Sequence, residues 1–169
     1  MNTVQTAIPR PCKVISGFQT GVDIGAIRGA NQLGLRTGGY MPKGWCTERG
    51  PMPSYACWFG AVEHESPLYP PRTEANVRSA DVTIIISVIG VPERGSTLTE
   101  KLCQKLGSPY ARLNIPNTKC LKAPYIERLH FFLEDLESND YTVNFAGNRE
   151  SISPGIEEWT QSFVLQLFG

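Results

Sequence analysis

Two short stretches hold the residues best suited to chemistry. In SGFQTGVD, residues 16–23, Gln19 and Thr20 lie between two glycines; in IGVPERGSTLTE, residues 89–100, Ser96 and Thr97 follow Gly95. Each stretch runs into a segment with helical spacing. A loop that turns into a helix exposes unpaired backbone N–H groups at the positive end of the helix dipole, and glycine lets an anion approach the backbone. Gln19, Thr20, Ser96 and Thr97 add side-chain donors, so the chemistry expected is the capture of an anion such as phosphate. Either stretch alone could equally be a connecting turn; two at one sheet edge favour a site. GFQTG lacks the third glycine of the dinucleotide fingerprint, and the chain has no G-K-[ST], which speaks against NAD chemistry and ATP hydrolysis. The candidate cations are Lys43 in PKG, Arg72 and Arg78 in PPRTEANVRSAD, and Arg94. Lys43 and Arg72 stand in proline-rich surroundings beside the expected site, whereas most Lys and Arg side chains are simply solvated.

Other reactive residue types read as structural. His130 falls on the apolar side of its helix, and His64 has no partner at metal-binding spacing. Cys12, Cys103 and Cys120 read as small core residues, while Cys46 and Cys57 fall in a loop where a thiol could face a ligand. The five cysteines are odd in number and contain no C-x-x-C pair, so neither a disulfide framework nor a zinc site is signalled, and a reducing, cytoplasmic setting is expected. No Ser-His-Asp order or paired carboxylates point to a hydrolytic centre. Trp45, Trp58 and Phe59 would be explained by covering a ligand or meeting another subunit.

The elements that must position these loops alternate. KVISG (13–17) reads as a strand, then a helix runs from Gly21 to Leu33, with Thr20 and Asp23 at capping-box spacing. TGGY (37–40) is a weak strand, 41–60 a long surface loop, and 61–65 a short extended piece. The Pro-Pro pair breaks the chain before a helix over 73–80. VTIIISVI (82–89) is apolar throughout, as in strands buried on both faces of a parallel sheet. A helix follows with Leu98, Leu102 and Leu106 on one stripe, Thr97 and Glu100 repeating the capping spacing. Then come strand 110–115, helix 124–137, strand 141–147, and a last helix with Ser153 as N-cap and Pro154 at its first position. This succession predicts a Rossmann-like, doubly wound α/β sheet, mainly parallel with helices on both faces. Ligands in such sheets bind beyond the carboxyl ends of the strands, where strand order reverses.

With 169 residues, 41% of them apolar, one domain over 12–169 is expected after a disordered lead-in over 1–11. Sixteen basic against sixteen acidic residues leave no net charge, which argues against nucleic acid or an anionic membrane as partner. The N-terminus lacks a signal-peptide core, and no apolar run is long enough to span a membrane.

SGFQTGVD, GGYMPKG, RTEANVRSADVTIII, GSTLTE and NFAGNRESISPGI resemble, in order and spacing, the molybdenum cofactor carrier proteins. These belong to the Rossmann-like SLOG superfamily, which includes the lonely-guy phosphoribohydrolases. The resemblance spans about residues 13–168. It implies a homo-oligomer, dimer or tetramer, that holds molybdenum cofactor as a phosphorylated pterin cargo, with no protein-ligated metal. The positions it matches are Gly17, Gln19, Thr20, Gly21 and Asp23; Pro42, Lys43 and Gly44; Arg72, Thr73 and Asn76; then Gly95, Ser96, Thr97 and Thr99. Phe18 stands where the family has glycine, inside the expected ligand loop, and Asn148 where proline is common. Two alternatives accompany the carrier reading. One is a nucleoside-monophosphate phosphoribohydrolase using Arg72 and Glu100, although Thr73 replaces that family's lysine and Glu100 could be a helix cap. The other is a sensor or sequestering protein for a nucleotide-derived signal.

Overall fold

The computed structural model describes residues 8–136 and 140–169. In chain order its elements are β1 (Lys13–Ser16), α1 (Val22–Gln32), β2 (Arg36–Met41), β3 (Cys46–Thr47), β4 (Gly50–Pro51), α2 (Ser54–Phe59) and β5 (Ala61–Glu63). They continue with α3 (Tyr69–Arg78), β6 (Val82–Val88), α4 (Arg94–Leu106), β7 (Tyr110–Ile115), α5 (Ala123–Glu134), β8 (Thr142–Gly147) and α6 (Ile156–Phe168). Six strands form one sheet in the order β5-β2-β1-β8-β6-β7, every pair parallel. The chain builds one half outward from β1, crosses back to β6, and inserts β8 last between β1 and β6. Strand order therefore reverses around β8, and that is where a parallel sheet leaves a crevice at its carboxyl edge.

β6 is buried along its whole length, as its unbroken apolar run requires. The larger core lies on the face covered by α1, α5 and α6 and includes Val14, Ala26, Leu133, Phe145, Trp159 and Phe163. On the other face, α3 and α4 bring a smaller apolar set, Val77, Leu102 and Cys103. That face also buries polar side chains, Asn76, Thr83, Thr99 and Asn144, of which Asn76, Thr99 and Asn144 line one cavity. A third cluster, Phe18, Ile24, Ile27, Met41, Tyr55 and Ala61, joins α1 to the segment after β2.

Several local expectations are revised. Segment 41–60 is not one loop: Cys46–Thr47 and Gly50–Pro51 pair as an antiparallel hairpin, and α2 follows. Pro70 and Pro71 sit inside the first turn of α3, where a missing N–H costs nothing, so the helix starts at Tyr69. Neither expected capping box forms, since α1 and α4 have no side-chain cap bond. α6 starts after Gly155, with Ser153 and Pro154 before it, and the capping group is Glu150. Its carboxylate accepts N–H bonds from Gly155 (2.6 Å) and Glu157 (2.9 Å). Residues 1–7 of the expected lead-in lie outside the described residues. Residues 8–11 are held in place: Ile8 is in the main core, Tyr141 Oη donates to the Pro9 carbonyl at 2.7 Å, and Arg10 Nε to that of Phe168.

Candidate functional site

β1 ends at Ser16, and its hydroxyl sets the turn that follows by donating to the Asp23 carbonyl (3.1 Å) and accepting the Phe18 N–H (3.1 Å). Gly17 follows. A Cβ there would overlap the Arg72 guanidinium, which α3 lays against the bare backbone. Arg72 is 8% exposed, and its Nη1 stands 3.7 Å from Asp23 Oδ2 while its Nε has no partner among the described residues. Asp23 also accepts the backbone N–H groups of Gln19 (3.3 Å) and Gly17. Burial raises its carboxyl to about 6 even though Arg72 and those N–H groups pull the other way. The same burial lowers the Arg72 guanidinium from its usual range. Desolvation thus outweighs the attraction within the pair, as it does for buried pairs of imperfect geometry.

Around this pair lies a cavity of about 80 Å³ lined by Gly17, Gln19 and Asp23 from the first loop and Tyr69, Arg72, Thr73 and Asn76 from α3. Gly95, Leu98 and Thr99 of α4 and residues Asn144 to Gly147 and Arg149 complete it. The Arg72 and Arg149 guanidiniums both lie over the Tyr69 ring, at 5.3 and 5.0 Å from its centroid. Each guanidinium is attracted to the π electrons of that ring. Gln19 braces this group by donating to Tyr69 Oη (3.2 Å) while its carbonyl accepts the N–H of Thr20 (3.0 Å) and of Glu48 (2.9 Å). One carboxylate therefore faces two guanidiniums, and the cavity has an excess of positive charge in a chain with none overall. A second cavity, about 240 Å³, adjoins it through Gly95, Gly147 and Arg149 and is further lined by Arg94, Ser96 and Asn148.

Eight of the expected site residues meet at the first cavity: Gly17, Gln19, Asp23, Arg72, Thr73, Asn76, Gly95 and Thr99. Three of them are also used locally. Asn76 clamps β2 by accepting the Tyr40 N–H (2.8 Å) and donating to its carbonyl (3.1 Å); Thr73 and Thr99 donate back to Tyr69 and Gly95 carbonyls in their own helices. Ser96 and Arg94 line the second cavity, whereas Thr97 lines a separate surface depression. Lys43, Gly44, Thr20, Gly21 and Phe18 line neither cavity. Lys43 is exposed, and Arg78 pairs with Glu74 on the outer face of α3.

Three of those departures have clear causes. Phe18 is fully buried with φ of 58° and packs its ring against Tyr55 and Phe59, 5.7 and 6.4 Å away, so it belongs to the third cluster. That contact also explains why Phe59 is aromatic; Trp45, Tyr55 and Phe59 pack on this cluster and line neither cavity, while Trp58 is largely exposed. Gly21, with φ of 84°, leaves room for a neighbouring backbone: a Cβ would strike the Asn148 carbonyl, which accepts the Val22 N–H (3.1 Å). Thr20 donates to Glu48 and accepts the Glu150 N–H (3.3 Å). Burial acts most strongly on Glu48, but bonds from Ser151 and Thr20 outweigh it and hold the carboxyl below its ordinary value. Glu100 is turned outward to Arg112 and lines a different groove, so the Arg72–Glu100 pair of the hydrolase alternative does not share a cavity.

Tyr69, Asn144, Gly147 and Arg149 were missed. The signal for the last two was NFAGNRE: a strand ending in glycine and followed by arginine, once β8 is known to be central. Asn148, next to them, ties the edge together by accepting the Val88 N–H (2.7 Å) and donating to the Pro92 carbonyl (3.1 Å).

A parallel doubly wound sheet with a cationic crevice at its reversal point defines a Rossmann-like protein. The model of the circularly permutated YpsA SLOG family matches residues 14–168, and the chain belongs to that family. The family resemblance read from the sequence agrees with this. Among solved structures it is similar to a protein from Syntrophus aciditrophicus SB provisionally named a molybdenum carrier protein, with 29% identity, a TM-score of 0.82, and coverage of 95% of this chain and 96% of that one. No curated protein matches the chain.

Proposed function

We propose that the protein binds a phosphorylated small molecule in this cleft and carries it, with molybdenum cofactor as the cargo. The observation that carries this reading is Arg72: a buried guanidinium with an unpartnered Nε and only a loosely placed carboxylate. A buried cation left short of partners is costly, and an incoming phosphate oxygen would complete its bonds. Arg149, on the same tyrosine ring, adds a second cation without adding a carboxylate. The similar protein from Syntrophus supports the choice of cargo. Gly17, Gln19, Arg72, Thr73, Gly95 and Thr99 would hold the phosphate end, and the adjoining cavity the rest.

Native mass spectrometry of the protein purified from its own cells tests this. A co-purifying mass equal to molybdopterin, alone or joined to a nucleotide, and absent from an Arg72→Met variant that folds normally, is the expected result. A nucleotide mass would instead make the protein a sensor or sequestering protein for that nucleotide, and release of free base from added nucleoside monophosphates would make it a hydrolase. The reading includes a cytoplasmic homo-oligomer, which sedimentation over a range of concentrations checks.

A further inference from the structure

The second cavity has its own donors, and one phosphate bound at Arg72 would leave them unused. α4 opens onto it with Arg94, Gly95 and Ser96, and no side chain caps the helix. The first-turn N–H groups and the positive end of a thirteen-residue helix therefore face this space. Ser96 lines it, is 1% exposed, and its hydroxyl has no hydrogen-bond partner among the described residues. A buried hydroxyl without a partner is as unfavourable here as the Arg72 Nε is next door. Among the described residues, the charged ones lining this cavity are Arg94 and Arg149, with no carboxylate. Its apolar lining among those residues is Pro92 and Ile152, with no aromatic face on which a ring could stack. These features suit a second anion better than the uncharged part of a cargo.

Arg149, Gly95 and Gly147 line both cavities, so two anions held there would be neighbours. We propose that the cleft takes a ligand with two linked phosphoryl groups, a diphosphate ester, one group at Arg72 and the other at the first turn of α4, with Arg149 serving both. This rests on the phosphate-binding reading of the Arg72 cavity and narrows the cargo to a class. A pterin cofactor joined to a nucleotide through a diphosphate belongs to that class, and a monophosphate does not.

Titration calorimetry of the full chain with inorganic phosphate and with pyrophosphate at equal ionic strength tests it, with Ser96→Ala and Arg94→Gln as variants. Pyrophosphate is expected to bind at least about tenfold more tightly than phosphate. Ser96→Ala removes an unpartnered hydroxyl from a helix, so folding is retained; it should remove most of the pyrophosphate preference and leave phosphate affinity within about twofold. Arg94→Gln, at an exposed position, should act in the same direction. If phosphate binds and pyrophosphate binds no better, or if Ser96→Ala lowers both equally, the diphosphate inference fails and the phosphate reading stands. If neither anion binds, the phosphate reading fails and takes the inference with it.

Discussion

Among the described residues, Asp23 is the one carboxylate lining the first cavity with the two guanidiniums, and its charge competes with that of any anion bound there. Its carboxyl titrates at about 6, raised by burial against the pull of Arg72, the Gln19 and Gly17 N–H groups and Arg149. An anion drawn to Arg72 repels the ionised carboxylate, so binding favours the protonated form. With a midpoint near 6, the protonated fraction is about 0.9 at pH 5 and about 0.1 at pH 7, and anion affinity should fall about tenfold across that interval. Sulfate is the suitable probe, because a phosphate ester loses its second proton near pH 6 and would blur the profile. Calorimetric titration with sulfate from pH 5 to 8 should show the decline in the native protein and a flat, tighter profile in Asp23→Asn. The same group acts on stability. Because its folded value lies above the ordinary 3.8, its contribution is full at low pH and is lost as pH rises through about 6. That loss is on the order of 3 kcal/mol at neutral pH, a pH slope that the Asn variant should lack. A sulfate affinity in the native protein that does not change with pH, or an equal slope in the variant, refutes the reasoning.

Gly21→Ala should destabilise the fold by about 2–4 kcal/mol in urea unfolding, from left-handed strain together with the clash against the Asn148 carbonyl. Phe18→Gly relieves roughly 1 kcal/mol of backbone strain but gives up a buried ring worth about 3–5, so a net loss of about 2–4 kcal/mol is expected with sulfate affinity unchanged. Glu150→Ala removes the carboxylate that caps α6 and should cost about 0.5–2 kcal/mol, with faster amide exchange at Gly155 and Glu157.

The regular layers were legible because they rest on periodicity. An apolar run such as Val82–Val88 has few alternatives to a buried parallel strand, and the stripes of α4 and α6 could only face a core. Helix starts were less legible, since capping spacing is a local rule and tertiary partners override it. Glu48 and Arg112 took the polar groups of Thr20 and Glu100 that the boxes would have used, and Glu150 reached across five residues to do Ser153's expected task. Half of the site was visible in the two glycine loops and Arg72. The other half, Tyr69 and Arg149, was hidden because strand order is not written in any one segment: Arg149 reaches the cavity only because β8 lies in the middle of the sheet.

That position of β8 also governs the order in which the protein can assemble during synthesis. β5, β2 and β1 can pair with one another, and so can β6 and β7, but the pairings that join the two groups all run through β8. A chain leaving the ribosome therefore carries two open strand edges, β1 and β6, until residues beyond 141 emerge, and such edges invite pairing with other chains. The cationic crevice is finished in the same final event, because Gly147 and Arg149 arrive with β8. On the proposed function, a growing chain gains its anion site all at once and late, when the sheet closes.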